Sequence, residues 1–273
     1  MSNQLSQHYI LSLDSSMTVA SVSLGAGGVL IDSIVLTRQK SHSEQINKAI
    51  ELLLSKNCVL FSQVCAVAVT EGPGSFTGLR IAGNIAKTIC YCLNIPMIVL
   101  NSLDILKTHT LNQINSSLKD ACIKKFTKQN FENENTIICS MVNAFKQMVF
   151  VSVDQLNGTI ILPPTLMTLD EVMQYLITSY SSSSILIVGD GFDYYELDWS
   201  KDFLNLLLIR PKDEYKPQLD YPSVDQITIS SFEKYKTDTT IDWKEFLPLY
   251  LKHSEAEENL RLGKLKFRNI GDI

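Results

Sequence analysis

Glu71-Gly72-Pro73-Gly74-Ser75-Phe76-Thr77-Gly78-Leu79-Arg80 is the stretch that decides the fold, because it joins a strand to a helix through a glycine-rich turn. Before it, residues 64–69 form an uninterrupted apolar run rich in β-branched side chains, which is typical of a buried strand. After it, Thr77 is a candidate N-cap for a helix that continues to Leu93. The sequence therefore predicts a strand, a sharp turn and a helix.

Turns of this kind often present backbone N–H groups to a phosphate. Here the glycines follow the pattern Gly-x-Gly-x-x-x-Gly and no lysine follows Gly78, so neither the dinucleotide fingerprint nor the P-loop is matched. The simpler interpretation is a structural turn whose glycines supply backbone conformations with positive φ. Phosphate binding at Gly72 and Gly74 is the alternative.

The elements around this turn follow a regular order. Gly25-Ala26-Gly27-Gly28 closes a hairpin, and Ser41-His42-Ser43-Glu44 has the spacing of a capping box that opens a helix. The predicted order is strand, strand, strand, helix, strand, helix, strand, at residues 9–13, 19–24, 29–36, 43–57, 64–69, 78–93 and 97–100. This order resembles one lobe of the two-lobed actin-like ATPase (ASKHA) fold.

Four motifs narrow the resemblance to one family. They are Leu11-Ser12-Leu13-Asp14-Ser15-Ser16, the helix start at Ser41, the turn from Glu71 to Ile81, and a late Pro248-Leu249-Tyr250-Leu251-Lys252. Together they resemble the TsaB (YeaZ) family, which is paralogous to TsaD. The resemblance implies an α/β protein with two lobes, each a mixed sheet with flanking helices, and a degenerate nucleotide site.

The chain is expected to divide into four parts. Residues 1–105 form the N-terminal lobe with the glycine-rich turn, and residues 136–220 form the second lobe. Residues 106–135, rich in Asn, Lys, Gln and Ser, connect the lobes as a continued helix and a surface insertion. Residues 221–273 hold a C-terminal helix and tail.

The second lobe opens with a predicted strand pair at residues 136–142 and 147–153, which repeats the first hairpin. Asn143 then takes the place that Asp14 has in the first lobe. The remaining predicted elements are a helix, a strand, a glycine turn and a last helix, at residues 168–180, 185–188, 189–191 and 223–235.

The fold family holds a Mg²⁺-nucleotide with an acidic residue from each lobe, but here the second position carries the uncharged Asn143. Asp14 is followed by Ser15 rather than glycine, so Asp14, Ser15, Gly72 and Gly74 are only weak candidates for cofactor binding. Losing one of two carboxylates removes much of the charge that holds the metal. We expect no catalytic residue, metal or cofactor. The alternative is an active sugar or acyl kinase of the same superfamily, with Asp14 as metal ligand.

The four histidines do not form the pair, four residues apart on a helix, that binds metal in the catalytic relative. They are His8, His42, His109 and His253, and no His-Glu-x-x-His occurs. His42, beside the capping box, is expected to pack or cap rather than to bind a metal.

The resemblance implies a non-catalytic scaffold subunit that binds TsaD. TsaD transfers threonylcarbamoyl from its adenylate to N6 of the tRNA adenosine beside the anticodon, and the TsaE ATPase engages the TsaB–TsaD pair. The chain is expected to form a homodimer when alone and to contact tRNA only indirectly.

Composition fits a cytoplasmic globular protein. The chain has 273 residues, 45% of them apolar, no apolar leader and no run long enough to span a membrane. The six cysteines lack Cys-x-x-Cys spacing, so we expect reduced thiols. A net charge of −5 disfavours unaided binding of nucleic acid. Two basic clusters are solvated surface or, alternatively, auxiliary tRNA contacts: Lys124, Lys125, Lys128, and Arg261, Lys264, Lys266, Arg268.

The helix after the glycine turn is apolar on most sides. One stripe, expected to face the sheet, holds Leu79, Ala82, Ala86, Ile89 and Leu93. A second stripe holds Ile81, Ile85 and Cys92. Such a helix is either internal or covered by another chain. The resemblance favours the second possibility, in which this helix and the preceding one together form the surface that binds a partner. The candidate interface residues are Ile46, Ile50, Leu52, Leu53, Ile81, Ile85, Ala86, Ile89 and Cys92.

Overall fold

The computed structural model describes residues 9–36, 42–115, 123–125, 136–192, 207–211, 219–252 and 259–260. It contains two mixed sheets, each flanked by helices. The predicted α/β class and two-lobed actin-like ATPase fold are confirmed.

The first sheet has the strand order β3-β2-β1-β4-β5. Its strands are β1 (Tyr9–Asp14), β2 (Ala20–Ala26), β3 (Val29–Leu36), β4 (Val64–Gly72) and β5 (Met97–Asn101). The central β1 pairs antiparallel with β2 and parallel with β4. Helices α1 (His42–Lys56) and α2 (Phe76–Leu93) cover one face and share its core. All five predicted strands are present.

Helix α2 begins two residues earlier than the sequence predicted. Ser75, not Thr77, is the N-cap, and its hydroxyl accepts a hydrogen bond from the backbone N–H of Gly78. The helix ends at Asn94, whose φ of 52° gives the left-handed C-cap that asparagine tolerates. The prediction failed because Ser75 and Thr77 are both good N-caps, and contacts of the turn within the first lobe select between them.

The second sheet has the order β6-β11-β10-β7-β8-β9. Its strands are β6 (Ile123–Lys125), β7 (Thr136–Asn143), β8 (Met148–Gln155), β9 (Ile160–Thr168), β10 (Ser184–Val188) and β11 (Leu207–Pro211). Strands β7 to β11 repeat the arrangement of the first sheet, because the order β9-β8-β7-β10-β11 corresponds to β3-β2-β1-β4-β5. Helix α4 (Leu169–Tyr180) has Thr168 and Glu171 as its capping box. Asn143 and Asp14 are the last residues of β7 and β1, as predicted.

Three strands of the second sheet were not predicted. β9 contains Pro163 and Pro164, which read as a break in sequence but are tolerated because β9 lies at the sheet edge. β6 and β11 are short and pair with each other at the opposite edge. Residues 106–135 are therefore more than a connection, since part of this range contributes a strand to the second sheet.

Two further helices contact the first sheet, and one of them also contacts the second. In α3 (Ser102–Asn115), Leu103 and Leu106 pack into the second lobe and Ile105 into the first. The last helix, α5 (Val224–Lys236), starts at the N-cap Ser223 as predicted and packs against the first sheet. Helix α5 and the later residues Ile241 and Phe246 therefore pack with the first lobe.

No helix within the described ranges is long and apolar enough to cross a membrane. The cysteines at positions 58, 65, 90, 92 and 139 are free thiols, and Cys122 lies outside the described residues.

Candidate functional site: the cleft between the lobes

A cleft of about 470 Å³ separates the two lobes. Five segments line it: the loop after β1, the glycine-rich turn, the turn between β7 and β8, the turn after β10, and the end of the chain segment that follows α5. Their residues include Ser16, Met17, Thr18, Gly74, Ser75, Phe76, Asn143, Phe145, Lys146, Asp190, Tyr250 and Lys252.

Asp14 is not a lining residue of this cleft. Its side chain is 2% exposed, and its Oδ1 accepts hydrogen bonds from Thr70 Oγ1 at 2.5 Å and from Ser16 Oγ at 2.7 Å. Burial raises the pKa of Asp14, and the hydrogen bonds from Thr70 and Ser16 oppose that rise. The carboxylate therefore fixes the loop after β1.

On the second lobe, the corresponding position is an amide with a local role. Asn143 Oδ1 accepts a hydrogen bond from the backbone N–H of Phe145 at 2.8 Å. Its own backbone N–H donates to Asp190 Oδ1 at 2.9 Å. Burial raises the pKa of Asp190 to about 6, and repulsion from Asp220 adds to the rise. Asp190 Oδ2 reaches across the cleft and accepts from Thr18 Oγ1 at 3.4 Å.

The glycine-rich turn packs directly on the loop after β1. Ser75 N–H donates to the backbone oxygen of Ser16 at 2.7 Å, and Ser15 Oγ donates to the backbone oxygen of Gly78 at 2.6 Å. A Cβ at position 74 or 78 would collide with the backbone oxygen of Ser16 or Ser15. Close approach, rather than positive φ, therefore requires glycine at 74 and 78. Of the three glycines in this turn, Gly72 alone has a positive φ, of 111°.

These residues do not fit a Mg²⁺-nucleotide. Asp14, at the end of β1, is buried, its Oδ1 accepts hydrogen bonds from Thr70 and Ser16, and its counterpart Asn143 carries no charge. At least one N–H of the turn, that of Ser75, is taken by Ser16. No group of three or more His, Cys, Asp or Glu side chains in the described ranges is arranged to hold a metal ion.

Comparison with known proteins identifies the family. Residues 30–260 match the family model described as TsaD: tRNA N6-adenosine threonylcarbamoyltransferase. The chain belongs to this family and is a TsaB (YeaZ) homologue. It is 33% identical over 104 residues to the tRNA threonylcarbamoyladenosine biosynthesis protein TsaB of Buchnera aphidicola. The aligned stretch covers 38% of this chain and 47% of that protein.

The TsaB protein of Bacillus subtilis is 31% identical over 97 residues, covering 36% of this chain and 42% of that protein. The matched stretch thus spans less than half of these TsaB proteins. The solved structure of YeaZ from Pseudomonas aeruginosa superposes with a TM-score of 0.65 at 18% identity, covering 89% of this chain and 100% of that one. The structural match supports the fold.

Of the four histidines of this TsaB homologue, His42 and His109 lie in the described part of the chain. His109 on α3 is 9% exposed, and burial lowers its pKa. His42 begins α1, but its side chain is not described. His8 and His253 lie outside the described residues, as do Lys128 and the predicted basic cluster from Arg261 to Arg268.

The burial of residues on α1 and α2 corrects part of the interface predicted for this TsaB homologue. Four of its candidates lie in the first-lobe core with at most 2% exposure: Ile46, Ile50, Leu53 and Ala86. A partner cannot contact them unless the lobe rearranges. The other five reach the surface to different degrees: Leu52 is 58% exposed, Cys92 is exposed, and Ile81, Ile85 and Ile89 are partly buried.

A segment that includes the motif Pro248–Lys252 covers the other side of α2, a contact that the sequence did not predict. We call residues 241–252 the C-terminal strap. Phe246 is 2% exposed and contacts the helix at Gly83, where a Cβ would lie 2.6 Å from its ring. Trp243 packs edge-on against Tyr91. The regular spacing of aromatic residues at 243, 246 and 250 was the available signal, and it lies outside any predicted element.

Proposed function

We propose that this chain is a non-catalytic TsaB-type subunit that binds TsaD and supports threonylcarbamoyl transfer to N6 of the tRNA adenosine beside the anticodon. The observation that carries the proposal is the state of the cleft. A protein of the family whose Asp14 is bound by Thr70 and Ser16, and whose second acidic position is Asn143, has no means of holding a Mg²⁺-nucleotide.

The docking surface is the solvent side of α1 and α2. It contains Leu52 of α1, which is more than half exposed, and Ile81, Ile85 and Cys92 of α2. The helices have 15 and 18 residues. A stable interface removes about 800 Å² of surface from each partner, an area that two helices of this length can supply. Large exposed apolar side chains on adjacent helices are the usual core of such an interface.

The remaining partners follow from the same surface. The isolated chain pairs with a second copy through α1 and α2, and TsaD displaces that copy. TsaE engages the TsaB–TsaD pair, and tRNA is reached through TsaD. The site of action is the cytoplasm.

Substitution of Leu52 by glutamate tests the docking surface. In a complex the new carboxylate would be buried without a partner, which costs several kcal/mol, or about 100-fold or more in affinity. Light scattering after size-exclusion chromatography should show a TsaD complex for the wild type and none for Leu52→Glu. The matched control is Ile177→Glu on α4, because Ile177 is 40% exposed and lies on the other lobe.

Each result has a separate meaning. Equal melting temperatures for Leu52→Glu and the wild type establish that the loss is one of association. A complex that survives Leu52→Glu contradicts docking at α1 and α2, and a wild type that never binds TsaD contradicts the proposed function.

A further inference from the structure

The turn between β7 and β8 has an unusual backbone. Phe145, Lys146 and Gln147 have φ values of 59°, 56° and 57°. Single non-glycine residues adopt this left-handed conformation uncommonly, and three in succession are disfavoured by contacts between Cβ and the backbone. A turn of this kind persists only where surrounding contacts determine it, and such turns cluster at functional sites. This one lines the cleft.

Contacts within the second lobe hold part of this turn. The backbone N–H of Ala144 donates to the backbone oxygen of Met148 at 2.9 Å, and the backbone N–H of Met148 donates to the backbone oxygen of Phe145 at 3.2 Å. Leu169 N–H donates to the backbone oxygen of Gln147 at 2.9 Å.

One further contact comes from the C-terminal strap. Lys252 Nζ donates to the backbone oxygen of Ala144 at 2.6 Å and also lies 3.4 Å from that of Phe145. A charged donor makes a stronger hydrogen bond than a neutral one. Lys252 therefore supports the carbonyl groups that the left-handed turn directs towards the strap.

Most of the strap is anchored in the first lobe, whereas Leu251 packs against a cluster made mostly of second-lobe residues. Ile241 exchanges two backbone hydrogen bonds with Met97 on β5, and Leu249 N–H donates to the backbone oxygen of Glu71 at 2.8 Å. Phe246 is buried in the first-lobe core. Lys252 thus connects the first lobe to the strained turn of the second.

Near its end, the strap is also held by the exposed edge of α2. The Arg80 guanidinium lies 3.9 Å from the ring centre of Phe76, and Arg80 Nε donates to Tyr250 Oη at 3.0 Å. The rings of Phe76 and Tyr250 are 4.8 Å apart. Arg80 is exposed and precedes Ile81 of the proposed docking surface, whereas Tyr250 is only two residues from Lys252.

We propose that the strap couples the outer edge of α2 to the cleft: Arg80 positions Tyr250, and Tyr250 positions Lys252 on the left-handed turn. A protein that docks on α2 and engages Arg80 would thereby change the turn on the opposite side of the cleft. This inference rests on the proposed function only for the identity of that protein. Arg80 and Lys252 are positioning residues.

Hydrogen exchange on the isolated full chain tests the coupling. The reporters are the backbone amides of Ala144 and Met148, whose hydrogen bonds close the turn. Lys252→Met removes the charged donor and should speed exchange at both amides about tenfold or more. Its matched control is Lys244→Met, because Lys244 is on the strap but stacks on Trp243 instead.

The remote substitution is the decisive one. Arg80→Ala should speed exchange at the same two amides about threefold or more, although Arg80 contacts neither of them. The control is Lys87→Ala, since Lys87 lies on the same edge of α2 over the Phe246 ring at 5.7 Å. In the double variant Arg80→Ala/Lys252→Met, exchange should match that of Lys252→Met alone, because Arg80 acts through Lys252.

Unchanged exchange at Ala144 and Met148 in Lys252→Met overturns the role of Lys252. Additive effects in the double variant overturn the coupling, and so does an Arg80→Ala protein that exchanges like Lys87→Ala. A melting temperature and amides of β10 recorded for every variant separate a local effect from general unfolding. These outcomes need no partner, so a failure to bind TsaD would contradict the proposed function without deciding this inference.

Discussion

The backbone oxygen of Ser16 accepts a hydrogen bond from the backbone nitrogen of Ser75 at 2.7 Å. This contact closes the glycine-rich turn onto the loop after β1. The same two segments are joined by the hydrogen bond from Ser15 Oγ to Gly78. The glycines therefore allow two backbones to touch.

Gly74→Ala is expected to destabilise the fold, because its Cβ would collide with the backbone oxygen of Ser16. Overpacking of this kind costs about 1–3 kcal/mol, which corresponds to a fall in melting temperature of roughly 2–10 °C for a chain of this size. Gly27→Asn is the control, since a side chain there meets nothing within 4 Å and asparagine accepts its φ of 59°. A Gly74→Ala protein as stable as Gly27→Asn would contradict the packing argument.

Phe246→Ala is expected to lower the free energy of unfolding by about 3–5 kcal/mol, since it removes a fully buried ring from the first-lobe core and leaves a cavity beside Gly83. The neighbouring Leu247 is 76% exposed, so Leu247→Ala should stay within about 0.5 kcal/mol of the wild type. Urea unfolding of both variants measures the difference. Similar values for the two would show that the strap is not part of the core.

Asp190 is expected to make stability fall as pH rises. Its pKa of about 6 in the folded protein lies above the unfolded value of 3.8, so the folded state holds the proton more tightly. The stabilisation is fully present below pH 3.8 and is lost as pH rises through 6. Between pH 5 and pH 7.5 the wild type should lose about 1 kcal/mol from this group, measured by urea unfolding.

Asp190→Asn should remove that part of the pH dependence. Asp242→Asn is the control, because Asp242 is exposed. An Asp190→Asn profile that falls as steeply as that of Asp242→Asn would show that Asp190 ionises normally in the folded protein.

The isolated chain is expected to turn over no ATP. Asp14 is held by Thr70 and Ser16, and Asn143 supplies no second charge. With Mg²⁺, ATP and candidate sugar or acyl substrates, turnover should equal that of a buffer control, and Asp14→Asn should leave it unchanged. Hydrolysis that Asp14→Asn abolishes would establish the kinase alternative instead.

Local patterns predicted most of the fold correctly. Continuous apolar runs identified β4 and β10 because both are buried central strands, and the helix predicted at residues 168–180 corresponds to α4. The equivalence of Asp14 and Asn143 also followed from element order. These features depend on residues close together in sequence, which is why the sequence specifies them.

The errors concern features that depend on distant contacts. Leu53 and Ala86 were assigned to a partner surface because their helices are apolar on several sides, but the orientation of a helix on its sheet decides which side is buried. Ser75 rather than Thr77 caps α2 because Ser16 fixes the turn. The contacts of the strap with α2 join residues about 170 positions apart, such as Arg80 and Tyr250, and no local pattern reports them.

Reconstituted threonylcarbamoyl transfer tests the central claim most directly. TsaD from the same organism is mixed with threonylcarbamoyl-adenylate and tRNA, with and without this chain, and N6-modified adenosine is measured. We expect no product from this chain alone, little from TsaD alone, and strong stimulation by the wild-type chain that Leu52→Glu fails to give. Product formed by this chain alone, or no stimulation of TsaD by the wild type, would contradict it.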